Sequence, residues 1–202
     1  MNLKKITIIG LVLTTLSFKT EIGPELKIGA DLPKADLKLT DVSDKKVSIN
    51  DAKNKNGVLV IFSCNTCPYV KLYEKRIKEI TDKALQNAIG VIIINSNEAQ
   101  RDEDDSFDEM KKYYKEQNLT CYYVLDNKTE IADAFGATRT PQVFLFNKEF
   151  KLNYKGSIDD NVKDAAAVKT FYLLDAIEAT IKNSLPKVQE SKSIGCTIKR
   201  NE

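Results

Sequence analysis

The sequence predicts an α/β domain, and three observations carry that expectation. Unbroken apolar runs of strand length stand at residues 58–62 and 90–94. Neither alternates with polar residues, so each reads as a strand buried on both faces. Between them, Val70, Tyr73, Ile77, Ile80 and Leu85 recur at helical spacing among Lys and Glu. This predicts a crossover helix over residues 69–87, and strand–helix–strand makes a right-handed βαβ unit with parallel strands. In such sheets the site lies at the carboxyl ends of the strands. The chain has 202 residues, 42% of them hydrophobic, enough for one buried domain with length left for tails.

Taken in order, Lys4 and Lys5 precede a mostly apolar run at residues 6–16, the pattern of a secretory signal. The run is short for a bilayer span, which needs about 20 residues. Cleavage is expected between Ser17 and Glu21, with an uncleaved anchor as the alternative, since no Ala-x-Ala site marks the end. Loss of residues 1–20 removes Lys4, Lys5 and Lys19 and leaves 28 basic residues against 29 acidic ones. The expected organisation is a signal at 1–20, a linker at 21–25, a domain at 26–185 and a charged tail at 186–202. The tail contains the apolar positions Ile194, Cys196 and Ile198 and is expected to dock on the domain.

The lead-in to residue 57 is polar, with a small hairpin expected across 37–39 and 46–49. After the second strand, the acidic run 101–106 leads into Phe107, Met110, Tyr113 and Tyr114 and reads as the capped start of a helix. A calcium loop is disfavoured because the glycine and bidentate glutamate spacing is missing. Residues 121–125 form a third strand, with Cys121 as a buried small hydrophobe. A short helix over 126–135 is ended by Gly136. Thr140-Pro141 stands before an apolar strand, where a proline often marks an edge and where an X-Pro bond has access to cis. Residues 151–155 return as a hairpin partner. A final helix over 165–183 is expected to bury Val168, Phe171, Leu174, Ile177 and Ile181, and Pro186 stops it.

The chemistry is expected at Cys64-Asn65-Thr66-Cys67-Pro68, where the first strand runs into the long helix. A cysteine attacks as the thiolate, and a helix N-terminus offers unpaired N–H groups and the positive end of the macrodipole. That is expected to activate Cys64, with Cys67 one turn later close enough to form a disulfide with it. Pro68 suits the first helical position because its missing N–H would be unpaired anyway. The other readings are a zinc half-site or a structural disulfide. Zinc needs further Cys or His ligands, whereas Cys121 and Cys196 are solitary and the chain has no histidine. The absence of histidine also removes Ser-His-Asp and Cys-His catalysis. A net charge of +2 without a basic stripe argues against nucleic acid as a partner. No metal and no cofactor is expected.

These residues resemble a known family. FSCNTCPYVK at 62–71, Asn95-Ser96-Asn97, Ala134-Phe135-Gly136-Ala137, Thr140-Pro141, YKGSIDD at 154–160 and GCTIK at 195–199 together resemble the thioredoxin superfamily. More narrowly, they are similar to its peroxiredoxin-like redoxin branch, related to the alkyl hydroperoxide reductase and thiol-specific antioxidant proteins. The resemblance spans residues 26–200. It implies a thioredoxin fold, a central mixed sheet flanked by helices. It also implies Cys64 as nucleophile, Cys67 as resolving thiol, and Pro141 as a cis-proline facing the disulfide. The backbone at Thr140 would then pair with an extended substrate. Four departures stand out: Thr66 where the branch commonly has His, Ser63 where thioredoxins have Trp, Val58 where they bury an acid, and Arg139 where some relatives carry a cysteine.

The function expected is thiol-disulfide exchange with a protein disulfide and an unidentified thiol reductant, outside the cytosol. Membrane contact is expected only if the N-terminal segment stays attached. Lys71, Arg139 and Cys196 are accessory candidates: Lys71 and Arg139 as cations, and Cys196 as a second resolving thiol, a partner for Cys121 or a thiol packed under the tail. A thiol peroxidase and a non-catalytic redox-sensing or binding domain are the alternatives. Peroxiredoxins place Thr or Ser three residues before their reactive cysteine. Here that position is Cys64 for Cys67 and Ile61 for Cys64, and neither fits. Asp159 and Asp160 match the branch but read as loop caps.

Overall fold

The computed structural model describes residues 23–201; the expected signal at 1–20 lies outside the described residues. The core is a seven-stranded sheet in the order β2-β1-β5-β4-β3-β7-β8. Its centre is β3 (Val58–Ser63), β4 (Gly90–Asn95) and β5 (Tyr122–Leu125), all parallel. The flanks are antiparallel. On one side lie β1 (Leu39–Asp41) and β2 (Lys46–Val47), and on the other β7 (Gln142–Phe146) and β8 (Leu152–Gly156). Every residue of β3 and β4 is buried, as their unbroken apolar runs require. Each fully buried Val, Leu, Ile or Phe contributes about 1.5–3 kcal/mol. On one face Phe62, Phe135, Phe144 and Phe146 meet edge-on at 5.2–5.8 Å between ring centres, the arrangement that ring quadrupoles favour.

The crossover helix α2 spans Pro68–Gln86 and buries Val70, Tyr73, Ile77, Thr81 and Ala84 against the sheet. A four-residue helix α1 (Ile49–Ala52) follows the first hairpin, so Ile49 belongs to a helix and not to the strand expected there. The cause is Ser48, whose side chain accepts from Asp51 N–H while Asp51 accepts from Ser48 N–H, a complete capping box. Helix α3 (Phe107–Glu116) is capped by Ser106, and α4 (Glu130–Phe135) ends at Gly136 with φ +63°. Pro141 does not mark an edge of the large sheet, because β7 lies between β3 and β8. Its bond to Thr140 is cis.

The last helix, α5, spans only Tyr172–Ile181. Phe171 is exposed and Val168 and Leu174 only partly buried, while Leu173, Ala176, Ile177 and Thr180 face the core. The helix begins late because the segment before it is tied to a loop. Asp160 accepts from Lys169 N–H through its side chain, and its own N–H donates to Thr170 C=O. Beneath that loop Asp159 is buried. It pairs with Arg76 at 2.5 Å and accepts from Tyr73 Oη at 3.0 Å, which pins the loop to α2.

After α5 the chain turns back across the domain. Residue 190 bridges Lys155 at the edge of β8, and Ser191 Oγ accepts from Ser157 N–H. Two short strands then pair away from the main sheet, β6 (Arg139–Thr140) with β9 (Cys196–Thr197). Ile198 is buried, and its N–H donates to Thr138 C=O. Arg200 closes the run with a 2.8 Å bond to Asp133.

Candidate active site

β3 ends at Ser63, so Cys64 emerges at the carboxyl end of the parallel strands, next to the end of β4 at Asn95. Four polar groups hold the turn that follows. Asn65 N–H donates to Asp105 Oδ1 at 2.8 Å, its side-chain Nδ2 donates to Asp104 C=O, and its side-chain Oδ1 accepts from Tyr123 Oη at 2.7 Å. Asp105 is fully buried and also accepts from the Asn95 and Asn97 amides, both at 2.8 Å. A carboxylate removed from water needs such donors to stay there. Arg101 supplies the nearby positive charge, donating to Asp105 C=O and Asn95 C=O.

Cys67, not Cys64, sits at the helix terminus. It is the N-cap of α2 with Pro68 at the first helical position. The unpaired N–H groups and the positive end of a 19-residue helix therefore act first on Cys67. With the Cys64 and Cys196 thiols beside it at the start of the helix, its pKa is held below the ordinary thiol value. Cys64 is driven the other way. Its hydrogen bond to Cys67, its burial and the negative charge of Asp105 all favour the protonated form. The sequence reading set Cys64 at the helix terminus, whereas the N-cap position belongs to Cys67. The helix begins one residue after Cys67, and the acid run contributes a buried carboxylate beside Cys64.

Thr140 touches both members of the pair. Its Oγ1 lies 3.4 Å from Cys64 Sγ, and its C=O oxygen lies 3.1 Å from Cys67 Sγ. Its backbone edge, where the resemblance places a substrate, is paired with Cys196 of the tail. Cys196 Sγ stands 2.6 Å from Cys67 Sγ. Cys64 and Cys67 are 1% and 3% exposed, whereas Cys196 is only partly buried. Arg139 does not reach the pair; it is exposed and donates to Gly195 C=O and Thr197 Oγ1. Lys71 is exposed and lines a surface groove with Asn65, Thr66 and Glu74. Cys121 lies at the opposite end of β5 from the site, with its thiol pushed up to about 12 by burial.

The model for the family described as Redoxin matches residues 27–169. The chain belongs to the Redoxin family. Membership places this redoxin among redox proteins, and structures of known proteins place it in the thioredoxin fold. An uncharacterized conserved protein from Geobacillus kaustophilus aligns with a TM-score of 0.80 and 28% identity, over 87% of this chain and 93% of that one. Peroxidoxin BcpB from Mycobacterium tuberculosis aligns at 0.60 with 12% identity, over 79% and 98%. The thioredoxin domain of thiol-disulfide oxidoreductase BVU-2223 from Bacteroides vulgatus aligns at 0.54 with 20% identity, over 65% and 89%. The last two are likenesses of fold. The curated proteins searched give no match.

Two features of the redoxin site lie outside the sequence reading. Asp105 hides in an acid run that reads as helix capping, and only Ser106 and the acids after it serve that purpose. The signal for it was the Asn95-x-Asn97 pair, whose amides are its donors. Asn97 also reaches the tail, accepting from Lys199 N–H at 2.9 Å.

Proposed function

We propose that this redoxin is a thiol-disulfide oxidoreductase that works through the Cys64/Cys67 pair, with Cys67 as the thiolate and Cys64 as the thiol that closes the disulfide. The single observation that carries this reading is the environment of Cys67. It is the N-cap of a 19-residue helix, its sulfur stands 2.6 Å from Cys196 Sγ, and Thr140 touches both it and Cys64. The role order is the reverse of the one expected from the motif. Cys67 thiolate attacks a disulfide brought to it, and the departing thiolate takes up a proton. Cys64 gives up its proton and attacks Cys67 sulfur, forming the Cys64–Cys67 bond and releasing the second thiol. One disulfide is reduced as one is formed. The reverse sequence oxidises a substrate, and the donor's potential sets the direction.

The N-terminal pattern supports export, where thiol pairs cycle against a dedicated reductant. Intact mass of the mature protein tests it: loss of about the first 20 residues is expected, and a full-length chain in the cytosol would contradict it. For the chemistry, the reduced protein is incubated with excess of a model protein disulfide, then digested without reduction and mapped. A Cys64–Cys67 linkage and two substrate thiols per chain are expected, and Cys67→Ser should abolish turnover. Four free thiols in the wild type after incubation would overturn the reading.

A further inference from the structure

The tail lies where an incoming substrate would lie. β9 pairs antiparallel with β6, setting Cys196 opposite Thr140. Gly195 is packed so closely that a Cβ there would meet Thr140 C=O oxygen at 2.1 Å. Anchors flank the strand on both sides. Ser191 is held by Ser157 N–H and Tyr154 Oη, while Lys199 and Arg200 are held by Asn97, Ala99, Asp133 and Ala137. The mode of binding is strand addition, in which main-chain hydrogen bonds align an extended segment and place one side chain in the site. Here the segment is the protein's own, and the side chain it delivers is a thiol.

Three sulfurs therefore stand in a chain. Cys67 is the middle one, sharing Thr140 with Cys64 on one side and standing 2.6 Å from Cys196 on the other. A small rotation brings that second contact to the about 2.05 Å of a disulfide. The inner two thiols are closed off by the docked tail, and the outer one is partly open to solvent.

Resting on the Cys64/Cys67 redox pair proposed above, we propose that Cys196, Cys67 and Cys64 form a disulfide relay, in which the tail cysteine takes over from Cys67 the first attack on the external disulfide and the buried pair stores the electrons. The steps balance. Cys196 loses its proton and attacks an external disulfide, giving a mixed disulfide at Cys196 and one external thiol. Cys67 thiolate attacks Cys196 sulfur, releasing the second external thiol and forming Cys67–Cys196. Cys64 loses its proton and attacks Cys67 sulfur, forming Cys64–Cys67 and returning Cys196 as a thiol. Two electrons pass from the chain to the external disulfide, and the tail stays docked throughout.

The test traps each stage with full-length variants exposed to a model protein disulfide, quenched in acid, alkylated and mapped without reduction. Cys64→Ser should accumulate Cys67–Cys196, and Cys67→Ser should accumulate the mixed disulfide on Cys196 with Cys64 free. Wild type run alongside shows whether the buried pair oxidises at all, so failure of the function proposed above is read separately. Cys196 found as a free thiol in both variants, with wild type forming Cys64–Cys67, would overturn the relay. Thermal denaturation confirms folding, and the corresponding Ala variants replace any Ser variant that does not fold.

Discussion

At the scale of single residues, the pair is asymmetric because one cysteine caps a helix and the other faces a carboxylate. The ordinary thiol value of 9.0 is lowered for Cys67 and raised for Cys64. In the reduced protein, thiolate ultraviolet absorbance should therefore persist well below pH 9 and be lost from that range in Cys67→Ser, as a pH titration reports. The linkage has a definite sign. A lowered folded-state pKa stabilises the fold fully above the unfolded value and loses that contribution as pH falls from 9.0 through the folded value. Reduced wild type should accordingly lose stability to acid over that range, and Cys67→Ser should flatten this part of the urea-denaturation profile. Asp105→Ala strands three N–H donors, each costing about 1–3 kcal/mol when buried and unpaired, so a loss of about 3 kcal/mol or more is expected by urea denaturation. Unchanged stability would show that water replaces the carboxylate.

At the scale of elements, what was legible followed from periodicity. The apolar runs gave β3 and β4, and the spacing of Val70, Tyr73 and Ile77 gave α2, because burial on two faces or one stripe leaves a local record. What was not legible depended on contacts distant in sequence. The late start of α5 is set by Asp160 holding Lys169 N–H, and the register of β9 by a strand more than fifty residues earlier. Two substitutions test these contacts. Asp159→Ala leaves the Arg76 guanidinium buried without its partner and should cost about 3–5 kcal/mol. Gly195→Ala pushes a methyl group into Thr140 C=O and should cost β9 about 1–3 kcal/mol of docking. Alkylation of Cys196 in that variant should rise about tenfold, the rate equivalent of about 1.4 kcal/mol. An unchanged rate would mean that the strand does not gate the thiol.

At the scale of the whole molecule, the sheet brings three distant segments to one point. These are the turn after β3, the acid run after β4, and the tail that returns to β6. The sequence announced the first through its two cysteines and proline. It held the residues of the other two without their roles, since neither a buried carboxylate nor a docked strand has a local signature. Arg139 illustrates the limit. Beside Thr140 in sequence, it reads as a cation for the thiolate, yet alternation along β6 turns it outward to Gly195 and Thr197. Among the described residues the site thus brings Cys64, Cys67, Cys196 and the Thr140 edge together, with no arginine hydrogen-bonded to either sulfur of the pair. The most direct measurement is a parallel stopped-flow comparison of the fully reduced protein with a model protein disulfide and with hydrogen peroxide, following formation of the Cys64–Cys67 bond. Exchange with the disulfide is expected to be faster by about a hundredfold or more, the advantage of about 2.8 kcal/mol that prepositioned sulfurs supply. Peroxide reacting faster than the disulfide would contradict the account and make the pair a peroxidase centre.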